Sequence, residues 1–294
     1  MATAALHPKS TVATRTVKTR RPAFDHADLT HRRYFDRDLL GSHIVAVLSG
    51  VIPPGERFVA ETVRCYRDRI DVPALGAQAN AFVGQENVHQ REHHRFNRAL
   101  ARVGYPTAVI DRAGTVTFGL LGRLPRRLQV AMTSAIEHWT AVIAEHVLAE
   151  DWLDRWDLPS ETRAFLGWHL VEELEHKAVA FDTMQAVGTS ERERIAAMAL
   201  VTAALAPTVV GGLALSLATD PAARNPKLWA RSARRVRSSA IGQRSFLDDL
   251  LSYNRPGFHP DERDIDELLD RWRDALLGPD GPVAGRLPAA RRAT

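Results

Sequence analysis

Two Glu-x-x-His motifs constrain this chain more than any other feature of its sequence. The first joins Glu86 to His89, and the second joins Glu173 to His176. Residues three apart lie on neighbouring parts of one face of an α-helix, so the carboxylate and the imidazole of each motif can bind the same metal ion. The two motifs therefore predict two helices that face a shared metal site.

Single glutamates fill the two remaining positions of such a site. Glu56 precedes the first motif, and Glu137 lies between the two motifs. One glutamate from each of two helices and a Glu-x-x-His pair from each of two others form the di-metal site of ferritin-like bundles. We therefore predict an all-α fold, a ferritin-like four-helix bundle with a di-metal site, followed by additional C-terminal helices.

Further histidines and carboxylates accompany the predicted ligands. With 3.6 residues per turn, His93 falls within roughly 60° of the first motif and His169 within roughly 60° of the second. Both are interpreted as extra ligands or as groups that orient the carboxylates, and the sequence leaves both roles open. Glu172 lies four residues before His176, so a register that uses it also stays open.

Other residues near the predicted ligands have competing or structural roles. Glu145 is a competitor of Glu137, since it follows two turns along the same predicted helix. For His138 and His146 the prediction is a structural role or a role in orienting the ligands. The helix dipole alone would also account for Glu56, which stands at a predicted helix start.

Proline, glycine and apolar periodicity divide the chain into predicted segments. A basic tail over residues 1–30 and a second tail over 278–294 are predicted to be disordered. The ferritin-like domain spans 31–255, and a terminal amphipathic helix spans 256–277. Within the domain, residues 104–123 are predicted to form a long loop. The predicted helices cover residues 35–51, 54–69, 74–103, 125–150, 160–187 and 226–252.

Residues 195–219 form an apolar segment that contains no charged residue. The segment is long enough to cross a bilayer, but Pro207, Gly211 and Gly212 interrupt it. Basic residues stand on both sides of it. Two interpretations stay open, a buried helical hairpin at the back of the bundle and a segment in or on a membrane.

Composition limits the setting in which this chain works. The 294 residues carry a formal net charge of only +4, and the basic residues do not alternate with aromatic ones, so nucleic acid is not an expected partner. Cys65 is the single cysteine, which excludes an intrachain disulfide and fits a reducing compartment. We expect a cytoplasmic protein, with association to a membrane surface as the alternative.

The sequence resembles the bacterial family of predicted metal-dependent hydrolases over about residues 30 to 255. The resemblance is carried by Pro54-Gly55-Glu56, by residues 85–89 with His93 and Asn97, by residues 137–141, and by the long motif from Trp168 to Asp182. It implies a helical bundle with a di-metal site. The family name also implies hydrolysis.

The ligand types bear on the metal and on the reaction. Carboxylates and imidazoles without a thiolate suit two iron ions best, manganese second and zinc least. By analogy with the fold, O2-dependent oxidation of a small apolar substrate is the first interpretation, and it would need an electron-donor protein. Metal-hydroxide hydrolysis of an ester or amide is the alternative. Non-enzymatic iron binding is the third. A homodimer stays open, and no Gly-x-Ser-x-Gly motif supports a serine nucleophile.

Overall fold

The computed structural model describes Ser10 and residues 17–287, and this part of the chain is all helical, without a strand, as the sequence predicts. A single turn at Trp152–Arg155 and several short 3-10 turns connect the main helices. The main helices are α1 (Leu39–Tyr66), α2 (Pro73–Arg102), α3 (Thr107–Leu121), α4 (Arg126–Ala149), α5 (Ser160–His176), α6 (Val179–Ala186), α7 (Glu191–Ala218), α8 (Pro226–Ser238), α9 (Arg244–Ser252) and α10 (Asp266–Leu277).

Helix α1 runs without interruption through Pro53 and Pro54, where the sequence predicted two separate helices. A proline inside a helix leaves the carbonyl four residues earlier without its backbone partner. For Pro53 this is the carbonyl of Ser49, and the side-chain amide of Asn97 on α2 donates to it at 2.8 Å. The side chain of α2 thus compensates for one of the two lost backbone hydrogen bonds.

Residues 107–121 form helix α3, and the prediction of a loop over 104–123 is wrong. The glycines that suggested a loop permit close packing between helices instead. A Cβ on Gly114 would lie 2.9 Å from Cγ of Pro54, and a Cβ on Gly50 would lie 2.8 Å from Cγ2 of Ile110. Glycine therefore lets α3 lie directly against α1.

The later helices differ in detail from the predicted segments. The predicted helix over 160–187 is divided into α5 and α6. The predicted helix over 226–252 is divided into α8 and α9. The terminal amphipathic helix begins at Asp266, and its buried Leu269, Trp272 and Leu276 pack on the bundle. Ser190 and Glu193 form a capping box at the start of α7.

The ends of the described chain are packed against the bundle, which differs from the predicted disordered tails. Val17 and Phe24 are buried, and Arg20 forms ion pairs with two glutamates of α5. At the other end Val283 is fully buried, and Arg286 pairs with Glu161. Buried apolar and paired charged groups explain the difference for residues 17–30 and 278–287. Apart from Ser10, the remaining tail residues lie outside the described ones.

Helices α1, α2, α4 and α5 surround a polar centre between two apolar clusters. The first cluster includes Phe58 and Phe82, and the second includes Phe96, Phe165 and Trp168. On α2 the first Glu-x-x-His motif lies between Phe82 and Phe96, so its side chains enter the interior between the two clusters. The apolar clusters exclude water from the polar centre on either side.

Helix α7 is a single helix on the outside of the bundle. The interpretation of residues 195–219 as a buried hairpin is therefore wrong. Among the described residues two helices are long and apolar enough to cross a membrane. The apolar window in residues 39–69 is 67% buried, whereas the window in residues 191–218 is 17% buried. Length and composition are weak evidence for a membrane span, but the exposure of α7 sets it apart from the core helix.

Candidate metal centre

All six residues predicted as metal ligands meet at the polar centre, and all six are buried. They come from four helices, and their donor atoms form overlapping groups within 4.8 Å of one another that could hold a metal ion. The structure therefore brings together the side chains that the sequence selected, and their role as ligands stays a prediction. The contributors are Glu56 from α1, Glu86 and His89 from α2, Glu137 from α4, and Glu173 and His176 from α5.

Two groups of donors lie at opposite ends of the centre. One group combines Glu56 and His89 with His169, and the other combines Glu86, Glu137 and His176. In the first, Oε1 of Glu56 lies 3.9 Å from Nδ1 of His89. In the second, Oε2 of Glu137 lies 3.9 Å from Nδ1 of His176. Two groups, each with at least one carboxylate and one imidazole, fit two ions.

Glu86 and Glu173 lie between these two groups. Oε1 of Glu86 is 3.7 Å from Nδ1 of His89 and 3.3 Å from Nδ1 of His176. The two oxygens of Glu173 divide between the same histidines, with Oε1 3.6 Å from Nδ1 of His89 and Oε2 3.6 Å from Nε2 of His176. Both glutamates thus lie within reach of both donor groups.

His169 also reaches the centre, and a chain of hydrogen bonds fixes its ring. The side-chain nitrogen of Asn97 donates to the carbonyl of Ser49, which fixes the orientation of the amide. Its side-chain oxygen then accepts from the Ser49 hydroxyl at 2.7 Å. The hydroxyl must then accept from Nδ1 of His93, at 2.9 Å. In neutral His93 the other nitrogen, Nε2, is an acceptor, and it accepts from Nδ1 of His169 at 2.7 Å.

This proton arrangement leaves Nε2 of neutral His169 with a free lone pair. That atom lies 2.7 Å from Oε1 of Glu173 and 3.7 Å from Oε1 of Glu56. A lone pair that faces two carboxylates fits a metal ligand. The geometry thus favours His169 as an extra ligand, and it favours His93 as the group that orients His169.

Glu172 lies behind His89 and outside the group of converging carboxylates. Nε2 of His89 lies 3.0 Å from Oε2 of Glu172, and Arg20 contacts the other oxygen of Glu172 at 2.9 Å. A carboxylate that accepts from the outer nitrogen of a histidine directs the inner nitrogen towards a metal. The geometry favours this orienting role for Glu172 over the register in which it replaces Glu173.

Burial dominates the electrostatics of the centre. Burial first, and neighbouring carboxylates second, raise the pKa values of Glu56, Glu86 and Glu137 well above the ordinary range. Burial also opposes ionisation of Glu173, but the neighbouring imidazoles of His176 and His169 outweigh it and hold its pKa well below the ordinary value. Without cations, the centre would keep most of its carboxyl groups protonated.

Several donor atoms of the centre are buried without a hydrogen-bond partner among the described residues. They are both oxygens of Glu56, Oε1 of Glu86, Oε2 of Glu137, Nδ1 of His89 and both ring nitrogens of His176. Buried polar groups almost always have partners. Burial also lowers the pKa of His89 well below its ordinary value, which leaves a neutral imidazole with a free lone pair. These atoms fit metal ions as the shared partner.

No sequence pattern identified Arg20 or Ser49, which support the ligands from a distance. Arg20 lies in the predicted tail, and no pattern linked it to Glu172. Ser49 carried no recognisable signal either, whereas Asn97 was part of the family motif. The competing Glu145 pairs with Arg263 outside the centre. His138 and His146 bind Asp249 and Leu250 of α9, which agrees with structural roles.

Ser216, His43 and Asp220 form a second group of catalytic residue types. Nδ1 of His43 lies 2.6 Å from Oγ of Ser216, and its Nε2 lies 3.1 Å from Oδ2 of Asp220. Ser216 is fully buried between α1 and α7, so its hydroxyl cannot meet a substrate. The three side chains hold α7 against α1.

The fold and the centre define an all-helical protein with a candidate metal site built from glutamate and histidine. The family described as predicted metal-dependent hydrolase matches residues 18–264, and the chain belongs to this family. No curated protein and no solved structure matched the chain in the corresponding searches. The resemblance noted from the motifs is thus confirmed, and it extends further towards the N-terminus than the motifs indicated.

Proposed function

We propose that the chain is a hydrolase in which two metal ions at the buried centre activate water for attack on an ester or amide. The observation that carries this proposal is the set of buried, unpartnered donor atoms that converge from α1, α2, α4 and α5. Family membership supports metal-dependent hydrolysis over the O2-dependent oxidation that the sequence first suggested. Oxidation and non-enzymatic iron binding receive no support from the comparison.

Charge favours two divalent ions over one. Glu56, Glu86, Glu137 and Glu173 supply up to four negative charges, and a buried charge is tolerated only when it is compensated. Glu56, His89 and His169 would hold one ion, Glu137 and His176 would hold the other, and Glu86 and Glu173 would bind both. Iron, manganese and zinc all accept this set of oxygen and nitrogen donors.

Bound metal ions would lower the pKa of coordinated water and polarise the carbonyl group under attack. The side chains around the centre supply orientation. Glu172 holds Nδ1 of His89 towards the centre, and His93 holds Nε2 of His169 towards it.

Substrate is expected to enter beside Glu56 and His169. These are the most exposed of the seven candidate ligands, at 6% and 8%, while His89 and His176 are fully buried. Aromatic rings surround the donors, with Phe82 4.8 Å from the ring of His176 and Phe165 4.8 Å from that of His93. Apolar walls favour a small apolar ester or amide.

The test is hydrolysis of a panel of acyl esters and amides by protein loaded separately with iron, manganese and zinc. Under strict exclusion of O2 and without a reductant, the zinc or manganese form should hydrolyse at least one ester, and the Glu86→Ala variant should not. Glu145→Ala is the matched control and should retain the activity. Turnover that requires iron, O2 and a reductant would overturn the proposal in favour of oxidation.

A further inference from the structure

Helices α3 and α7 together present an exposed apolar surface, here called the α3–α7 face. The two helices are joined by the hydrogen bond between Thr117 and Thr208, at 2.9 Å. The side chains of Val109, Val116, Leu120 and Val210 are between 56% and 66% exposed. A concentration of exposed apolar residues of this kind marks an interaction site.

Charged residues are rare on this face. Helix α7 has none from Ile195 to its end, and α3 has only Asp111 and Arg112. Asp111 is half-buried and lies 3.8 Å from His94. Arginine can cover apolar surface with its stem while its head stays in water, so Arg112 is compatible with an apolar contact.

Helix α7 is held in the bundle along its inner side and cannot cross a bilayer as an isolated span. Ala197, Met198 and Val201 are buried against the core. Near the other end, Ser216 is fixed by His43 of α1. A membrane could therefore contact only the outer side of α7, together with that of α3.

Exposed cations stand at both ends of the face. At the α7 N-terminus Arg192 is exposed between the acidic Glu191 and Glu193, and Arg127 pairs with Glu193. Beyond the α7 C-terminus, residues 219–238 contain one acidic residue, Asp220, which is buried against His43. The exposed cations of this segment are Arg224, Lys227, Arg231, Arg234 and Arg237. They stand beside Trp229, which is partly exposed.

We propose that the α3–α7 face rests on an anionic membrane surface. An apolar surface with flanking lysine, arginine and tryptophan has the composition of interfacial membrane-binding elements. Basic residues next to a membrane are attracted to its anionic lipids. A second copy of the chain fits less well, since stacking would oppose the five cations beyond the α7 C-terminus either to themselves or to only two carboxylates, Glu191 and Glu193, which already have partners in their own chain.

The test is flotation of the full chain with vesicles made from equal parts of phosphatidylglycerol and phosphatidylcholine. The chain should float with these vesicles and bind phosphatidylcholine vesicles on the order of tenfold more weakly. High salt should weaken the binding without abolishing it, because apolar contacts are not screened. Val210→Glu on α7 and Val116→Glu on α3 should each weaken binding about tenfold or more.

Leu247→Glu on α9 is the matched control, since Leu247 is 51% exposed but lies outside the face. It should bind like the parent chain. An equal loss in this variant, or no flotation of the parent chain, would overturn the proposal. A dimer in plain buffer that Val210→Glu dissociates would assign the face to a second copy and overturn it as well. Circular dichroism of both face variants checks that they remain folded.

Discussion

The centre of the bundle and the α3–α7 face depart from the usual distribution of side chains in opposite directions. Four glutamates and several histidines are buried at the centre, whereas valine and leucine face outward on α3 and α7. Buried charge is costly unless it is compensated. A large exposed apolar patch is rare unless it contacts something. Our two proposals give each region a partner outside the chain, cations for the centre and an anionic membrane for the face.

The largest expected effect is loss of metal when a carboxylate between the two donor groups is removed. Glu86→Ala should reduce the metal content from two ions per chain to one or none, because Glu86 faces both His89 and His176. Metal analysis of the purified variant measures this. Glu145→Ala, which removes a carboxylate paired with Arg263, should keep both ions. Two ions in Glu86→Ala would show that this residue is not a ligand.

A smaller effect is expected from a residue that acts on the centre through another side chain. Arg20→Ala should weaken metal affinity about 10–100-fold, because Arg20 holds Glu172 and Glu172 orients His89. Competition with a chelator measures the affinity. Arg20→Lys keeps the charge and should restore part of it. Unchanged affinity in Arg20→Ala would mean that the N-terminal segment does not support the centre.

Arg20 also shows where prediction from sequence stops. The Glu-x-x-His spacing was sufficient to identify four converging residues, since helical geometry relates residues three apart, and the order of ligands in ferritin-like bundles added Glu56 and Glu137. Arg20 reaches Glu172 across 152 positions of sequence, and no periodic pattern reports such a contact. The loop predicted at 104–123 failed for a related reason, because Gly114 reflects the close approach of Pro54. Local spacing was readable, whereas contacts between distant segments were not.

The centre should also make the metal-free protein sensitive to pH. Raised carboxyl pKa values, as in Glu56 and Glu137, stabilise the fold below the unfolded value of 4.5, and this contribution is lost as the pH rises through the folded pKa. Lowered imidazole pKa values, as in His89, stabilise the fold above pH 6.5, and this contribution is lost as the pH falls. Above pH 6.5 only the carboxyl contribution changes, so stability should fall as the pH rises.

The expected fall is about 1.4 kcal/mol per pH unit for each carboxyl group that stays protonated. Urea unfolding of the metal-free protein between pH 6.5 and about pH 8 measures it. The metal-free Glu56→Gln variant should show a shallower fall, because one of the titrating groups is absent. The metal-loaded protein should show little change. Equal slopes with and without metal would contradict the assignment of the carboxyl groups to the metal site.

The smallest effect is expected on the α3–α7 face. Val210→Glu should change the free energy of unfolding by no more than about 0.5 kcal/mol, because the side chain is exposed and packs against little. A larger loss in urea unfolding would mean that the face belongs to the core. The face would then contribute to the stability of the folded chain, and its contrast with the metal-binding centre would disappear.

Anomalous scattering from crystals of the metal-loaded protein tests the central claim most directly, namely that buried carboxylates and imidazoles bind a pair of metal ions. We predict two peaks about 3.5–4 Å apart. One should lie beside Glu56, His89 and His169 and the other beside Glu137 and His176, with Glu86 and Glu173 in contact with both. Fully loaded crystals with no peak between α2 and α5, or with metal only at surface histidines, would contradict the account.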